Sequence, residues 1–314
     1  MKKFFVLIAM LCIGLFQAQI LGALKDQLGK VGKDKAVDLL GSQVMNAITT
    51  EAITTNFKDC DTKNIKGTDF AKGQNFTSLC SADFTTEGYI LKPGYYEIDV
   101  KSFCLKAGTY APSKGDGYLY APLKGPREEI IDALIKNWYK NQDIEQSKLQ
   151  MLIWAIIAKT KFKDLDISMQ AVATKLLTKK QLLSLTKMGL DFIPSSAMDK
   201  AKSSLPSSVQ KVLDAENNIR SFFSTSGGSY SEIEEIAILA GINPEKSSIE
   251  YGTWGLHPDG FWISYHPSGY TQMKIRIYVP ESLTEIKYIP SEDVAVPANT
   301  GSQRLMVSDV LNCK

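Results

Sequence analysis

Hydrophobic positions change their spacing four times along the 314 residues, and each change marks a boundary. The chain opens with Met1-Lys2-Lys3 and an unbroken apolar or small-residue run from Phe4 to Phe16, closed by Gln17-Ala18-Gln19. A basic start, a short apolar run and a small residue at the cleavage position predict a secretory signal peptide over residues 1–18, too short to span a bilayer. Residues 19–58 carry Leu21, Leu24, Leu28 and Val31, then Val37, Leu40, Val44 and Ile48, at helical spacing. This predicts an amphipathic helical segment, broken near Gly29 to Gly32, whose apolar face packs on the rest of the protein.

From residue 59 the period shortens. Gly88-Tyr89-Ile90-Leu91 and Tyr95 to Val100 are aromatic and β-branched, with the turn signal Lys92-Pro93-Gly94 between them, and the second strand leads into Phe103-Cys104. Gly115-Asp116-Gly117 lacks a following Gly-Lys-Ser/Thr and reads as a turn, not a phosphate cradle. Helices take over at Pro126, with Glu128 and Glu129 where the helix dipole favours acids and a stripe of Ile130, Ile131, Leu134, Ile135 and Trp138. Asp143-x-x-Gln146 has capping-box spacing and predicts a second helix carrying Leu149, Gln150, Ile153, Trp154 and Ile157.

Helical spacing continues to about Ala240, including a helix started by Pro206 and one opened by Ser231-x-x-Glu234. Most carboxylates here read as solvated, and Glu128/Glu129 and Glu234/Glu235, adjacent pairs that do not face each other on a helix, suggest no acid/base dyad. Beyond residue 246 the period is two, in Phe261 to Tyr265 and Gln272 to Val279. His257-Pro258-Asp259-Gly260-Phe261 and His266-Pro267-Ser268-Gly269-Tyr270 repeat one turn signature. The pattern predicts an α+β fold: a β-rich region followed by a helical region, with a C-terminal antiparallel β module, divided as 59–160, 161–245 and 246–314.

Composition adds exclusions. With Lys+Arg at 36 against Asp+Glu at 34, the chain lacks the basic footprint of a nucleic-acid binder. No second long apolar run follows the signal segment, so no transmembrane segment is expected in the mature chain. The two histidines have no Cys or carboxylate partners at metal-ligand spacing, and no Gly-x-Ser-x-Gly is present. Neither a metal, a cofactor nor an enzymatic nucleophile-base pair is therefore expected.

Cysteine usage changes the picture more. The exported chain carries Cys60, Cys80, Cys104 and Cys313, an even number that normally means two disulfides, with three connectivities open. Cys60 and Cys80 bracket a polar segment suited to a stapled loop, which leaves Cys104 with Cys313. Against this stands Gln150, four residues before Trp154 on one helix face, an amide in a Leu, Ile and Trp stripe where burial costs a few kcal/mol unless its hydrogen bonds are met.

An aromatic-Cys pair, Phe103-Cys104, followed by the helix start Leu149-Gln150-Met151-Leu152-Ile153-Trp154, resembles the internal thioester domains of bacterial surface adhesins over about residues 95–156. That family usually has Thr before the glutamine and a small residue two before the tryptophan, where this chain has Leu149 and Leu152. The resemblance implies that the Cys104 thiol and the Gln150 carboxamide condense to a thioester shielded by Phe103 and Trp154, which acylates an amine on a partner. Two readings follow: a secreted or surface-associated covalent adhesion protein with an unknown protein or surface amine as target, or a non-covalent periplasmic or extracellular binding or assembly protein with two disulfides.

Overall fold

The computed structural model describes residues 45–85, 88–186, 195–225, 228–308 and 313. The signal segment 1–18 and most of the amphipathic segment 19–58 lie outside the described residues. Two compact units divide the chain, residues 1–49 with 193–204, and residues 50–192 with 205–314. In the smaller unit residues 45–49 are helical, with the Thr49 hydroxyl donating to the Met45 carbonyl at 2.7 Å, and Ser195–Ser203 is a helix.

The larger unit holds fourteen described strands. These are β1 (Ile65–Lys66), β2 (Thr77–Ser78), β3 (Asp83–Thr85), β4 (Gly88–Leu91), β5 (Gly94–Cys104), β6 (Thr109–Tyr110) and β7 (Tyr118–Pro122), then β8 (Ile238–Leu239), β9 (Trp254–Leu256), β10 (Trp262–Pro267), β11 (Gln272–Val279), β12 (Ile286–Tyr288), β13 (Asp293–Pro297) and β14 (Leu305–Val307). Between β7 and β8 lie helices α1 (Glu128–Tyr139), α2 (Gln146–Ile157), α3 (Ile167–Leu176), α4 (Lys179–Thr186), α5 (Ser207–Thr225) and α6 (Tyr230–Ala237).

The main sheet runs β1-β9-β10-β11-β5-β14-β13-β7, with β2 added in parallel to β5. It curls on itself: a side-chain carbon at Gly255 of β9 would stand 3.1 Å from Leu119 of β7, at the opposite end of that order. Alternation in β11 places Met273, Ile275, Ile277 and Val279 inside and Lys274, Arg276 and Tyr278 toward the outer face, as the period-two pattern requires.

Strand β5 changes partners along its length. Gly94 to Lys101 pair with β11, and Ser102 to Cys104 pair with β14. The fold is α+β, with the strands after residue 246, β12 apart, antiparallel in the curled sheet and joined there to earlier strands. They interleave with β5 and β7, so the divisions drawn at 160 and 245 fall inside one unit. Nor do β4 and β5 pair across Lys92-Pro93-Gly94; β4 joins β3 and β12 in a separate three-stranded sheet.

Helix α2 is buried on every side, with all residues from Leu149 to Ile157 inside. A helix apolar all round has no solvent face, unlike the one-sided stripe expected from spacing. It packs among α3, α5, α6 and β5. Among the described residues no helix is long and apolar enough to cross a membrane.

Candidate thiol-amide site

Cys104 ends β5, in step with the buried Ile98, Val100 and Ser102, and pairs with Leu305 of β14. The chain leaving it is held firmly. Leu105 N–H donates to the Arg304 carbonyl at 3.0 Å, and the Arg304 guanidinium returns to the Leu105 carbonyl at 3.2 Å. The same guanidinium bonds the Thr55 carbonyl, the Ile53 carbonyl at 2.7 Å and the Glu51 carboxylate at 2.6 Å. Gly108 then turns at φ +70, where a side-chain carbon would stand 2.8 Å from the Lys211 carbonyl oxygen, so glycine alone fits.

Helix α2 is moored to the same strand. The Gln146 side-chain amide donates to the Ser102 carbonyl at 3.2 Å and to the Thr271 carbonyl at 2.7 Å. The capping box expected at Asp143 does not form: Glu145 is the N-cap without a side-chain bond, and Asp143 instead holds Lys175 at 2.6 Å. Gln146 has given its reach to tertiary partners.

One turn further, Gln150 meets Cys104 directly. Cys104 N–H donates to Gln150 Oε1 at 2.8 Å, and Gln150 Nε2 donates to the Cys104 carbonyl at 3.2 Å. The carboxamide thus pairs with both backbone groups of Cys104, 46 residues away, like one rung of a ladder. This meets the desolvation cost of an amide that is 1% exposed. The Cys104 thiol is buried and outside any disulfide; burial, and secondarily the Glu234 carboxylate, pushes its pKa well up. At neutral pH it is a thiol, and its reaction as a nucleophile requires a proton acceptor.

Aromatic rings pack around Trp154, one turn beyond Gln150. Trp154 stacks on Tyr230 at 5.8 Å between centroids and lies 6.3 Å from Tyr270. Among the described residues the Trp154 indole N–H, fully buried, has no hydrogen-bond partner. The Tyr230 and Tyr270 hydroxyls are 2.9 Å apart, and the Tyr270 hydroxyl donates to the Glu234 carboxylate. Tyr270 is fixed to β5 as well, because its carbonyl accepts the Ser102 hydroxyl at 3.0 Å. Phe103, fully buried, meets the edge of Trp138 on α1 at 5.2 Å.

The pattern of hydrophobic positions does not single out Tyr230 and Tyr270, and the Glu234/Glu235 pair suggests no acid/base dyad. Helix α6 is capped by Ser229 with Glu232, two residues earlier than Ser231-x-x-Glu234 suggested. That shift frees Glu234 for Tyr270. The only signal was the aromatic residue ending the second His-Pro-x-Gly motif.

The disulfide differs from the expected pairing. Cys80 joins Cys313, not Cys60, and Cys104 is not joined to Cys313. Cys60 lies 3.9 Å from the Leu119 carbonyl, and burial, with the Asp59 charge, pushes its thiol up to about 12. The polar loop between Cys60 and Cys80 is tied to the chain end, because proximity in sequence says nothing about where a loop docks.

The two histidines hold turns and strands. His257 accepts Gly260 N–H at its carbonyl and stacks on Phe261 at 4.2 Å, while His266 shares a 3.0 Å hydrogen bond with the Ser264 hydroxyl. Among the described residues no group of acids, cysteines and histidines is arranged to hold a metal ion. Comparison with protein-family models, curated proteins and solved structures returns no match.

Proposed function

We propose that this chain is an exported, surface-associated adhesion protein in which Cys104 and Gln150 form an internal thioester that acylates an amine on a partner. The observation that carries the reading is the double hydrogen bond between the Gln150 carboxamide and the backbone of a cysteine left unpaired. When the Cys104 sulfur adds to Gln150 Cδ, negative charge develops on Oε1, which already receives the Cys104 N–H. A fixed donor aimed at developing charge lowers the barrier to acyl transfer. Nε2 leaves as ammonia with the thiol proton, and the S–C bond replaces the C–N bond. A partner amine then attacks Cδ, forms an amide and returns the Cys104 thiol.

Burial supports storage of the bond. Cys104, Phe103 and Trp154 are fully buried, so bulk water is kept from the acyl carbon. The Cys80–Cys313 disulfide supports an oxidising compartment, in line with the signal peptide read from residues 1–18.

The test is the intact mass of unreduced wild-type protein beside Cys104→Ala and Gln150→Ala. A deficit of one ammonia beyond the disulfide, absent from both variants and converted to an adduct by methylamine, is expected. Loss of only the two disulfide hydrogens would instead make the Gln150 amide a structural clamp, and the chain a non-covalent binding protein.

A further inference from the structure

We propose that Glu234 is the terminal proton acceptor for the Cys104–Gln150 pair, reached through a directional chain of two tyrosine hydroxyls; this rests on the thioester reading above. Direction follows from counting hydrogens. Tyr270 has one hydroxyl hydrogen and donates it to Glu234, so in its 2.9 Å contact with Tyr230 it must accept. Tyr230 therefore donates to Tyr270 and keeps its own oxygen as an acceptor, on a ring stacked against Trp154 and close enough to Cys104 to feel its charge. A proton delivered to Tyr230 oxygen moves Tyr230's own proton to Tyr270 and Tyr270's to Glu234, with no net change at either ring.

The elements that meet here explain the placement. Tyr230 and Glu234 are four residues apart on α6 and share one face. Tyr270 is bonded to Ser102, two residues before Cys104, and Trp154 lies one turn beyond Gln150. Tyr230, Tyr270 and Glu234 are half-buried, whereas Cys104, Gln150 and Trp154 are buried, so the two hydroxyls and the carboxylate lie on the more exposed side of the reacting pair.

Each step balances. In thioester formation the thiol proton travels to Glu234 as sulfur bonds Cδ, and returns to Nε2, which leaves as ammonia. In acyl transfer the proton of the attacking amine travels to Glu234 as nitrogen bonds Cδ, and returns to the departing Cys104 sulfur. The titratable groups facing Glu234 are Tyr270, Tyr230, Cys104 and the neighbouring Glu235. Burial first, and Glu235 second, raise the Glu234 carboxyl above its ordinary value. It is thus a better acceptor than a free carboxylate.

The experiment follows hydroxylamine consumption of the thioester in full-length wild type, Glu234→Gln, Tyr270→Phe and Glu235→Gln, between about pH 4 and pH 8. Glutamine keeps an acceptor for Tyr270 but cannot take the proton. We expect Glu234→Gln and Tyr270→Phe to react about a hundredfold more slowly at neutral pH, and Glu235→Gln to be slowed far less, because it removes only the smaller of the two influences that raise the Glu234 carboxyl. The ratio of wild-type to Glu234→Gln rates is expected to fall toward one as pH drops through the carboxyl range, which a packing defect would not produce. Equal rates in wild type and Glu234→Gln, both carrying the ammonia deficit, would overturn this proposal alone. Absence of the deficit from wild type would overturn the thioester reading, and this proposal with it. If Glu234→Gln does not fold, an undiminished rate in Tyr270→Phe overturns the proposal.

Discussion

Asp293 shows how far burial outweighs hydrogen bonding on a single residue. Its Oδ2 receives the Tyr265 hydroxyl at 2.9 Å and the Tyr288 hydroxyl at 3.0 Å, both of which favour the charged form. Burial inside the curled sheet overrides them and pushes the carboxyl up to about 7 from 3.8. The folded state then keeps a proton that the unfolded chain releases, so this stabilisation is present at low pH and is lost as pH rises toward 7. His257 and His266 act oppositely: burial lowers each to about 4 from 6.5, and their contribution is lost as pH falls through that window. Asp293→Asn isolates the carboxyl. The stability of wild type relative to the variant, from urea titrations, is expected to fall between about pH 4 and pH 7; a difference independent of pH would refute the raised carboxyl.

At the scale of elements, the site depends on two moorings. Gln146 ties the start of α2 to Ser102 and Thr271, and Arg304 ties the chain beyond Cys104 to residues 51–55. Gln146→Ala removes two bonds to carbonyls and is expected to cost about 1–3 kcal/mol in urea titration. If the mooring also sets Gln150 against Cys104, the fraction of protein showing the ammonia deficit falls in parallel. Arg304→Met takes the guanidinium donor from the Thr55, Ile53 and Leu105 carbonyls and leaves the Glu51 carboxylate with Lys106 alone, for an expected loss of about 3–5 kcal/mol. An unchanged midpoint in either variant would show that the mooring is incidental.

Across the whole molecule, the Cys80–Cys313 disulfide joins residues 233 positions apart. A cross-link between points so far apart restricts the unfolded chain strongly, and replacing both cysteines by serine is expected to lower stability by about 2–5 kcal/mol. The chemistry should persist, since Cys104 is not part of that bond. Loss of the ammonia deficit in the double-serine variant, with the fold intact by circular dichroism, would tie the site to the disulfide.

Local pattern was enough to place most of the elements. Period-two runs marked β10 and β11, acids marked the first turn of α1, and the resemblance to thioester domains singled out Cys104, Gln150 and Trp154. What the sequence left open was everything set by long-range pairing. It separated residues 59–160 from 246–314, which the sheet joins through β5 with β11 and β14. It paired the cysteines by nearness along the chain, gave Glu234 no partner, and read Gln146 as a cap. A strand's alternation fixes which side chains share a face but not which strand lies beside it, and a polar side chain's partner is whatever the fold brings within about 3 Å. The residue types at the thiol-amide site were therefore legible in the chain, whereas the contact between Cys104 and Gln150, and the tyrosines beside it, exist only because β5, α2, α6 and the turn at Tyr270 meet.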